Sequence, residues 1–355
     1  MPKSLITFDN PPLIRAAASV AGRREEEGPL GGKFDISDDT DSFGKDSWEK
    51  SESEMQRMAL ECAMKKANIT EDALGAIYAG DLINQCTSSS YGLLSFDVPY
   101  FGIYGACSTI AEGLILASLS VSGGFFKNAA AVCSSHNCSA ERQFRTPLEY
   151  GAQRAPSAQW TVTGAGAFIV SDSCLGVVTV GDDSYKICSN GTGAYITEAL
   201  PGRTFDSGIS DLTDMGAAMA PAAADTLIRY VEESEYSPEN FDLIATGDLA
   251  SKGSELLLTL TRRNGLELGP NYTDCGLRIY DPAAQDMHSG GSGCACSALV
   301  LAAEFLPMIE SGKAHDILLI GTGALMSPAT VQQGGSIPGI AHLVHISSSK
   351  CKRKD

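Results

Sequence analysis

The chain has 355 residues, 43% of them hydrophobic and 19% charged, which is enough apolar material for large buried cores and two domains or one fused pair. A net charge of −17 argues against nucleic acid, whose phosphates need a basic surface, and against adhesion to anionic lipid through a basic patch. Eleven scattered cysteines, an odd number with no CxxC pair and no secretory signal, read as reduced thiols, and no apolar run is long enough to span a bilayer.

Much of the acidity lies early, in RREEEGPLGGKFDISDDTDSFGKDSWEKSESE at 23–54. Its carboxylates lack EF-hand spacing, so the stretch reads as a solvated, loop-rich face rather than a calcium site. Next, Met55, Met58, Ala59, Cys62 and Ala63 fall at i, i+3, i+4, i+7 and i+8, which predicts a helix over Met55–Lys66 with one buried stripe. Thr70 reads as the N-cap of a short turn leading to a strand at Ala76–Ala79.

The segment VPYFGIYGACSTIAEGLILASLSVSGG at 98–124 places Cys107 between a short apolar run and a small-residue helix of about four turns. A cysteine there faces unpaired backbone N–H groups and the positive helix end, both favouring thiolate, although small buried cysteines in tight turns are common. Strands are predicted at Ala129–Ser134 and Ala165–Ser171. A second series follows, with a strand at Val177–Val180, a helix around Gly216–Val231, a capped turn at Ser237–Asn240 with proline at its first helical position, and a strand at Asp242–Thr246. A long apolar helix at Cys294–Glu310 and a buried strand at Asp316–Gly321 complete it. Cys294 and Cys296 sit in a Gly/Ser-rich turn without further ligands at zinc spacing, so they read as packing residues and no metal or cofactor is expected. The series repeat one plan, with halves expected at 1–185 and 186–355. The basic end, KCKRKD at 350–355, reads as frayed.

The order GACSTIAEGLILA, NAAAVCSSH and TGAGAFIVSD, followed by PENFDLIATGD and MHSGGSGCACSALVLAAEFL, resembles thiolase-fold condensing enzymes of the β-ketoacyl-acyl carrier protein synthase III type. That resemblance implies an α/β thiolase-like fold of two duplicated halves in a five-layered αβαβα core, a nucleophile position at Cys107, and a homodimer. FDNPPLI at Phe8–Ile14, GPLGGKFD, FGKDSWEKSESEMQ and YAGDLINQ at Tyr78–Gln85 resemble, more narrowly, the stage V sporulation AD family of spore-forming Firmicutes. That second resemblance implies a non-enzymatic protein that binds dipicolinic acid, pyridine-2,6-dicarboxylate, or its calcium chelate. It also implies work with the other sporulation stage V A membrane proteins, peripherally on the cytoplasmic side of the forespore or spore inner membrane.

Condensing chemistry needs a cysteine nucleophile and two groups that activate it and hold the thioester oxygen. Where the synthase III pattern places a histidine after its strand, this chain has Gly247-Asp248-Leu249-Ala250, and no imidazole. His288 in the Gly-rich turn keeps open an alternative, a thiolase-type acyltransferase or thioester hydrolase using Cys107 and His288. The candidate ligand-binding residues are Cys107, His136 and His288 with Arg142 and Arg145, and Arg154 joins that basic cluster because a bidentate arginine suits a carboxylate. The helix N-termini after Cys107 and Gly293 are expected to offer N–H donors to two carboxylates. His315, His342 and His345 are read as structural.

Overall fold

The computed structural model describes residues 4–144, 154–180, 183–188 and 193–350. Arg145 and the end of the basic tail, 351–355, lie outside the described residues.

Ten strands form the main path of one mixed sheet, and their pairing repeats. In the N-terminal half, β1 (Leu13–Gly22), β2 (Ala76–Gly80), β3 (Tyr100–Gly102), β4 (Asn128–Ser135) and β5 (Gly164–Ser171) run in the order β3-β2-β4-β5-β1. The C-terminal half, β6 (Ala194–Leu200), β7 (Leu243–Thr246), β8 (Tyr272–Asp274), β9 (Asp316–Ala324) and β10 (Gly339–Ser347), runs β8-β7-β9-β10-β6. Both halves have parallel pairs at the outer edge and antiparallel pairs inward. The halves meet where Leu13 and Ile14 of β1 pair with Tyr195 and Ala194 of β6. The same strand order twice is the topology of a duplication, and the change from one copy to the next falls between 171 and 194.

Helices fill the layers in a pattern the sequence explains. α1 (Trp48–Ala67) covers the outer face of the N-terminal strands. It begins earlier than the 55–66 stripe predicts because Ser47 accepts from the Lys50 N–H and caps it. α2 (Thr109–Ser122) packs on β2, β4 and β5 on one side and on β9 and β10 on the other. A helix between two sheets must be apolar nearly all round, and Ile110, Ala111, Leu114 and Ala117 are fully buried. α3 (Met215–Glu233) covers the far side of the C-terminal strands, and α4 (Ala250–Arg263) packs against α3. α5, residues 294–310, shares the central layer with α2, with a π-helical turn at Leu301–Phe305 inside it. The result is α/β/α/β/α.

The acidic stretch is corrected in part. Glu25 and Glu52 are buried, not solvated. Glu52 accepts hydrogen bonds from Ser134 and Ser139 at 2.9 and 2.7 Å, and burial pushes its carboxyl above the usual range. Glu25 accepts from the Thr163 N–H at 2.9 Å and from the Tyr280 hydroxyl, and burial pushes it up to about 7. Charge pattern gives the average environment of a stretch; which carboxylates turn inward depends on serines and a tyrosine far along the chain.

Candidate functional site

Four segments converge where the sheet strands end. The first is the 3-10 turn Ala106–Ser108 ahead of α2, which carries Cys107. Ala106 is held at φ +50°, an uncommon conformation for a residue with a Cβ, so the surroundings must impose this turn. One constraint is steric: a Cβ added at Gly323 of β9 would lie 2.2 Å from the Gly105 carbonyl oxygen. Glycine there lets the C-terminal half press directly on the Cys107 turn.

The second segment follows β7 and carries Asp248. The third is the two-residue strand Gly291–Ser292 with Gly293 at the start of α5, and the fourth is the Thr322 region of β9. Asp248 draws them together. Its Oδ2 accepts from the Ser292 hydroxyl at 2.8 Å and the Gly293 N–H at 2.9 Å, and its Oδ1 accepts from the Thr322 hydroxyl at 2.7 Å. Every one of these contacts uses the carboxylate as acceptor, and together they offset part of the cost of burying it. Behind it, Asp274 accepts from Thr246 Oγ1 and from the Leu249, Ala250 and Gly276 N–H groups at 2.6–2.9 Å, fixing the loop that presents Asp248.

The Cys107 sulfur lies 3.8 Å from Ser292 Oγ, the hydroxyl that donates to Asp248. Burial, then the Asp248 carboxylate, pushes the thiol well above the ordinary range. This corrects the expectation of a thiolate: desolvation and an adjacent negative charge outweigh the helix end. Likewise the N–H donor expected at the start of α5 is taken, since Gly293 donates to Asp248.

Cys107, Ser292 and Gln159 sit in the floor of a cavity of about 310 Å³. Its walls are mostly apolar, with Leu82, Phe144 and Ala140 from one half and Met215, Ala324 and Met326 from the other. The volume is at the small end of ordinary ligand pockets. Among the described lining residues the only formally charged side chain is Glu141.

The other candidate residues stand apart from this floor. His136 is buried behind it, with Nε2 3.0 Å from the Asp41 carbonyl, Nδ1 accepting from the Cys138 N–H at 3.1 Å, and its ring 5.1 Å from that of Trp48. His288 directs Nδ1 to the Ala155 carbonyl at 2.8 Å and Nε2 toward Asp286 at 3.4 Å. Arg142 pairs with Glu49, and Arg154 holds Asp286 at 2.7 Å while covering the Trp160 ring. None of these four lines the cavity. Sequence reasoning missed Gln159, Ser292 and Thr322 as site residues. Only Ser292 carried a local signal, its place in the Gly-rich turn.

The chain matches the family model described as stage V sporulation protein AD over residues 2–347. It is 40% identical over 340 residues to the stage V sporulation protein AD of Bacillus subtilis strain 168, covering 96% of this chain and 95% of that protein. The chain belongs to the stage V sporulation protein AD family. Membership gives it a role in sporulation. Solved structures similar to it include the 3-oxoacyl-acyl carrier protein synthase III of Aquifex aeolicus, at 14% identity and TM-score 0.53 over 94% of this chain and 99% of that one. Xanthomonas campestris OleA bound with cerulenin is similar at 16% identity and TM-score 0.55, over 95% and 97%. At such identities the likeness establishes the fold, thiolase-like, in a chain whose curated relative is named for sporulation while its fold neighbours are enzymes. Among the described residues of this family member, no helix is long and apolar enough to cross a membrane.

Proposed function

We propose that the protein binds dipicolinic acid, alone or as its calcium chelate, in the cavity over Cys107, without catalysis. On this reading it serves uptake of the ligand into the developing spore, working peripherally at the forespore or inner spore membrane with the other stage V A membrane proteins. The observation that carries the reading is the substitution of function at the floor. An acceptor-only carboxylate, Asp248, stands beside Cys107 where a condensing enzyme needs a hydrogen-bond donor, and it raises the thiol pKa instead of lowering it. The cavity itself persists, small, apolar-walled and closed by both halves, as a planar aromatic acid requires.

The acyltransferase alternative would use His288 with Cys107, and His288 is committed to the Ala155 carbonyl away from the cavity. The test is calorimetric titration of dipicolinate, with and without calcium, into wild type and Thr213→Trp, which plugs the lining at an exposed position. Saturable binding to wild type that is lost in the variant supports the reading. Absence of dipicolinate binding together with acylation of Cys107 by acetyl-coenzyme A would replace it with the enzyme reading.

A further inference from the structure

One wall of the cavity is built in two pieces that clasp each other. The loop 82–86 contributes Leu82, and the helix Asn137–Phe144 contributes Ala140, Glu141 and Phe144. Gln143 joins them: its Nε2 donates to the Leu82 carbonyl at 2.8 Å, and its Oε1 accepts from the Asn84 N–H at 2.9 Å. The loop is under backbone strain, with Gln85 at φ +59° and Cys86 at φ +51° in succession, so it keeps this shape only while its contacts hold it.

At their bases both pieces rest on a buried pair of carboxyl groups, Asp81 and Glu52. Asp81 accepts from the Ile83 N–H at 2.8 Å and from the Ser89 N–H and hydroxyl at 2.8 and 2.6 Å, which ties down the loop on both sides. Glu52 accepts from Ser139 in the first turn of the helix and from Ser134 near the end of β4. Gln56, one turn along α1 from Glu52, bridges the two, since its Nε2 donates to both Ser89 Oγ and Ser134 Oγ at 2.8 Å. Each of these serines thus receives from Gln56 and donates to one carboxyl. Two carboxyl groups linked this closely and kept from water are costly to ionise together. Burial, then the charge of Asp81, pushes Glu52 up to about 8, and burial raises Asp81 as well.

The other titratable groups around the pair keep one state through the neutral range. Cys86, Cys133, Cys138, Cys294, Tyr100 and Tyr104 are pushed up by burial, and His136 is pushed down. On the helix, Arg142 pairs with Glu49 and Glu141 lines the cavity. Glu25 reaches the helix at one remove, through Thr163, whose N–H it accepts and whose Oγ1 accepts from the Asn137 N–H at 3.1 Å.

We propose that the loop 82–86 and the helix Asn137–Phe144 are a proton-locked flap on the cavity, in which the clasp holds while the Glu52–Asp81 pair carries a proton and opens as that proton is lost. When the flap opens, water reaches Glu52 and its carboxyl returns to the ordinary range, so opening releases a proton. Rising pH therefore favours the open flap, up to the pH at which Glu52 ionises in the closed state as well. The inference concerns how the cavity opens and is independent of which ligand it takes.

The experiment is amide hydrogen exchange, read by mass spectrometry on the ligand-free protein from pH 6 to 9 and corrected for the intrinsic pH dependence of exchange. In wild type, protection of peptides covering 82–89 and 137–144 is expected to fall about tenfold per pH unit between pH 6 and 8 and to level off above, because one proton leaves per opening. Peptides of β9, in the other half, are the reference and are expected to stay more protected throughout. Glu52→Gln keeps an acceptor oxygen but no charge, and is expected to remove the slope in the two segments, whereas Glu25→Gln leaves it. Gln143→Ala removes both bonds of the clasp and is expected to lower protection in both segments at pH 6.5 by on the order of tenfold or more. The wild-type slope and Gln143→Ala decide the matter even if Glu52→Gln does not fold. Equal protection and equal slope in β9 and the two segments would mean that Glu52 supports the whole fold and not a flap, and would overturn the inference. So would a flat wild-type profile, a slope that persists in Glu52→Gln, or a loop left unchanged by Gln143→Ala.

Discussion

The environment of Cys107 makes a quantitative prediction about its reactivity. Asp248→Asn removes the charge beside the thiol while keeping an acceptor oxygen for Ser292 and the Gly293 N–H. Two unit charges about 4 Å apart at an effective dielectric near 20 interact by about 4 kcal/mol, which is the most the thiolate and the carboxylate would exchange across Ser292. At about 1.4 kcal/mol per pKa unit, that sets an upper bound of roughly three units on the fall of the thiol pKa. Screening through the cavity brings the expected fall to about one or two units. Burial, the larger cause, stays in place, so the thiol remains above its ordinary value even in the variant. Where thiolate is the minor form, the alkylation rate follows its fraction, and Asp248→Asn is expected to react about ten to a hundred times faster. The assay is iodoacetamide labelling from pH 6.5 to 9.5, read at Cys107 by peptide mass spectrometry, with half-buried Cys62 as the reference thiol in the same chain. A wild-type rate that levels off below pH 8, the signature of an activated nucleophile, would refute the reasoning, as would an Asp248→Asn rate equal to wild type.

Three further outcomes are expected. Glu25 holds its proton in the folded state up to about pH 7 against an ordinary value of 4.5, so its contribution to stability is present at low pH and lost as pH rises through that window. Glu25→Gln should therefore reduce the loss of unfolding free energy between pH 5 and 8 by up to about 3 kcal/mol in urea titrations, and an unchanged slope would contradict the assignment. Thr213→Trp, at an exposed position on the cavity rim, should abolish ligand binding while leaving stability within about 0.5 kcal/mol, checked by calorimetry and urea unfolding together. The edge strand β3 carries Phe101 half exposed and stacked on Tyr78 at 5.2 Å, a surface suited to strand pairing with a second copy through the N-terminal half. Phe101→Lys should shift a dimer to monomer in analytical ultracentrifugation, and a wild-type monomer at high concentration would remove the dimer from the account.

The duplicated plan was legible because it rests on local signals. β2, β4, β5 and β9 extend the predicted runs by only a few residues and β7 falls one residue short of its run, since short apolar runs bounded by glycine and polar turns are read from the chain itself. The vacancy for a histidine after β7 was equally plain, since it needs only the order of residues along Gly247–Ala250. The meaning of Asp248 was not, because its partners Ser292, Gly293 and Thr322 lie 44 to 74 residues away. Where the arginines of the basic cluster point was hidden for the same reason. Arg142 and Arg154 are close to the cavity in sequence, yet Glu49 and Asp286, each far along the chain, hold them elsewhere. Gln159 carried no signal at all, since an unpaired amide oxygen is a property of the folded wall.

The most direct test of the central claim is one titration of dipicolinate into the wild-type protein by calorimetry, paired with incubation of the same protein with acetyl-coenzyme A and mass spectrometry of the Cys107 peptide. Dipicolinate is expected to give saturable heat, and acetyl-coenzyme A to leave Cys107 unmodified. An acetylated Cys107 with no heat from dipicolinate would contradict that claim.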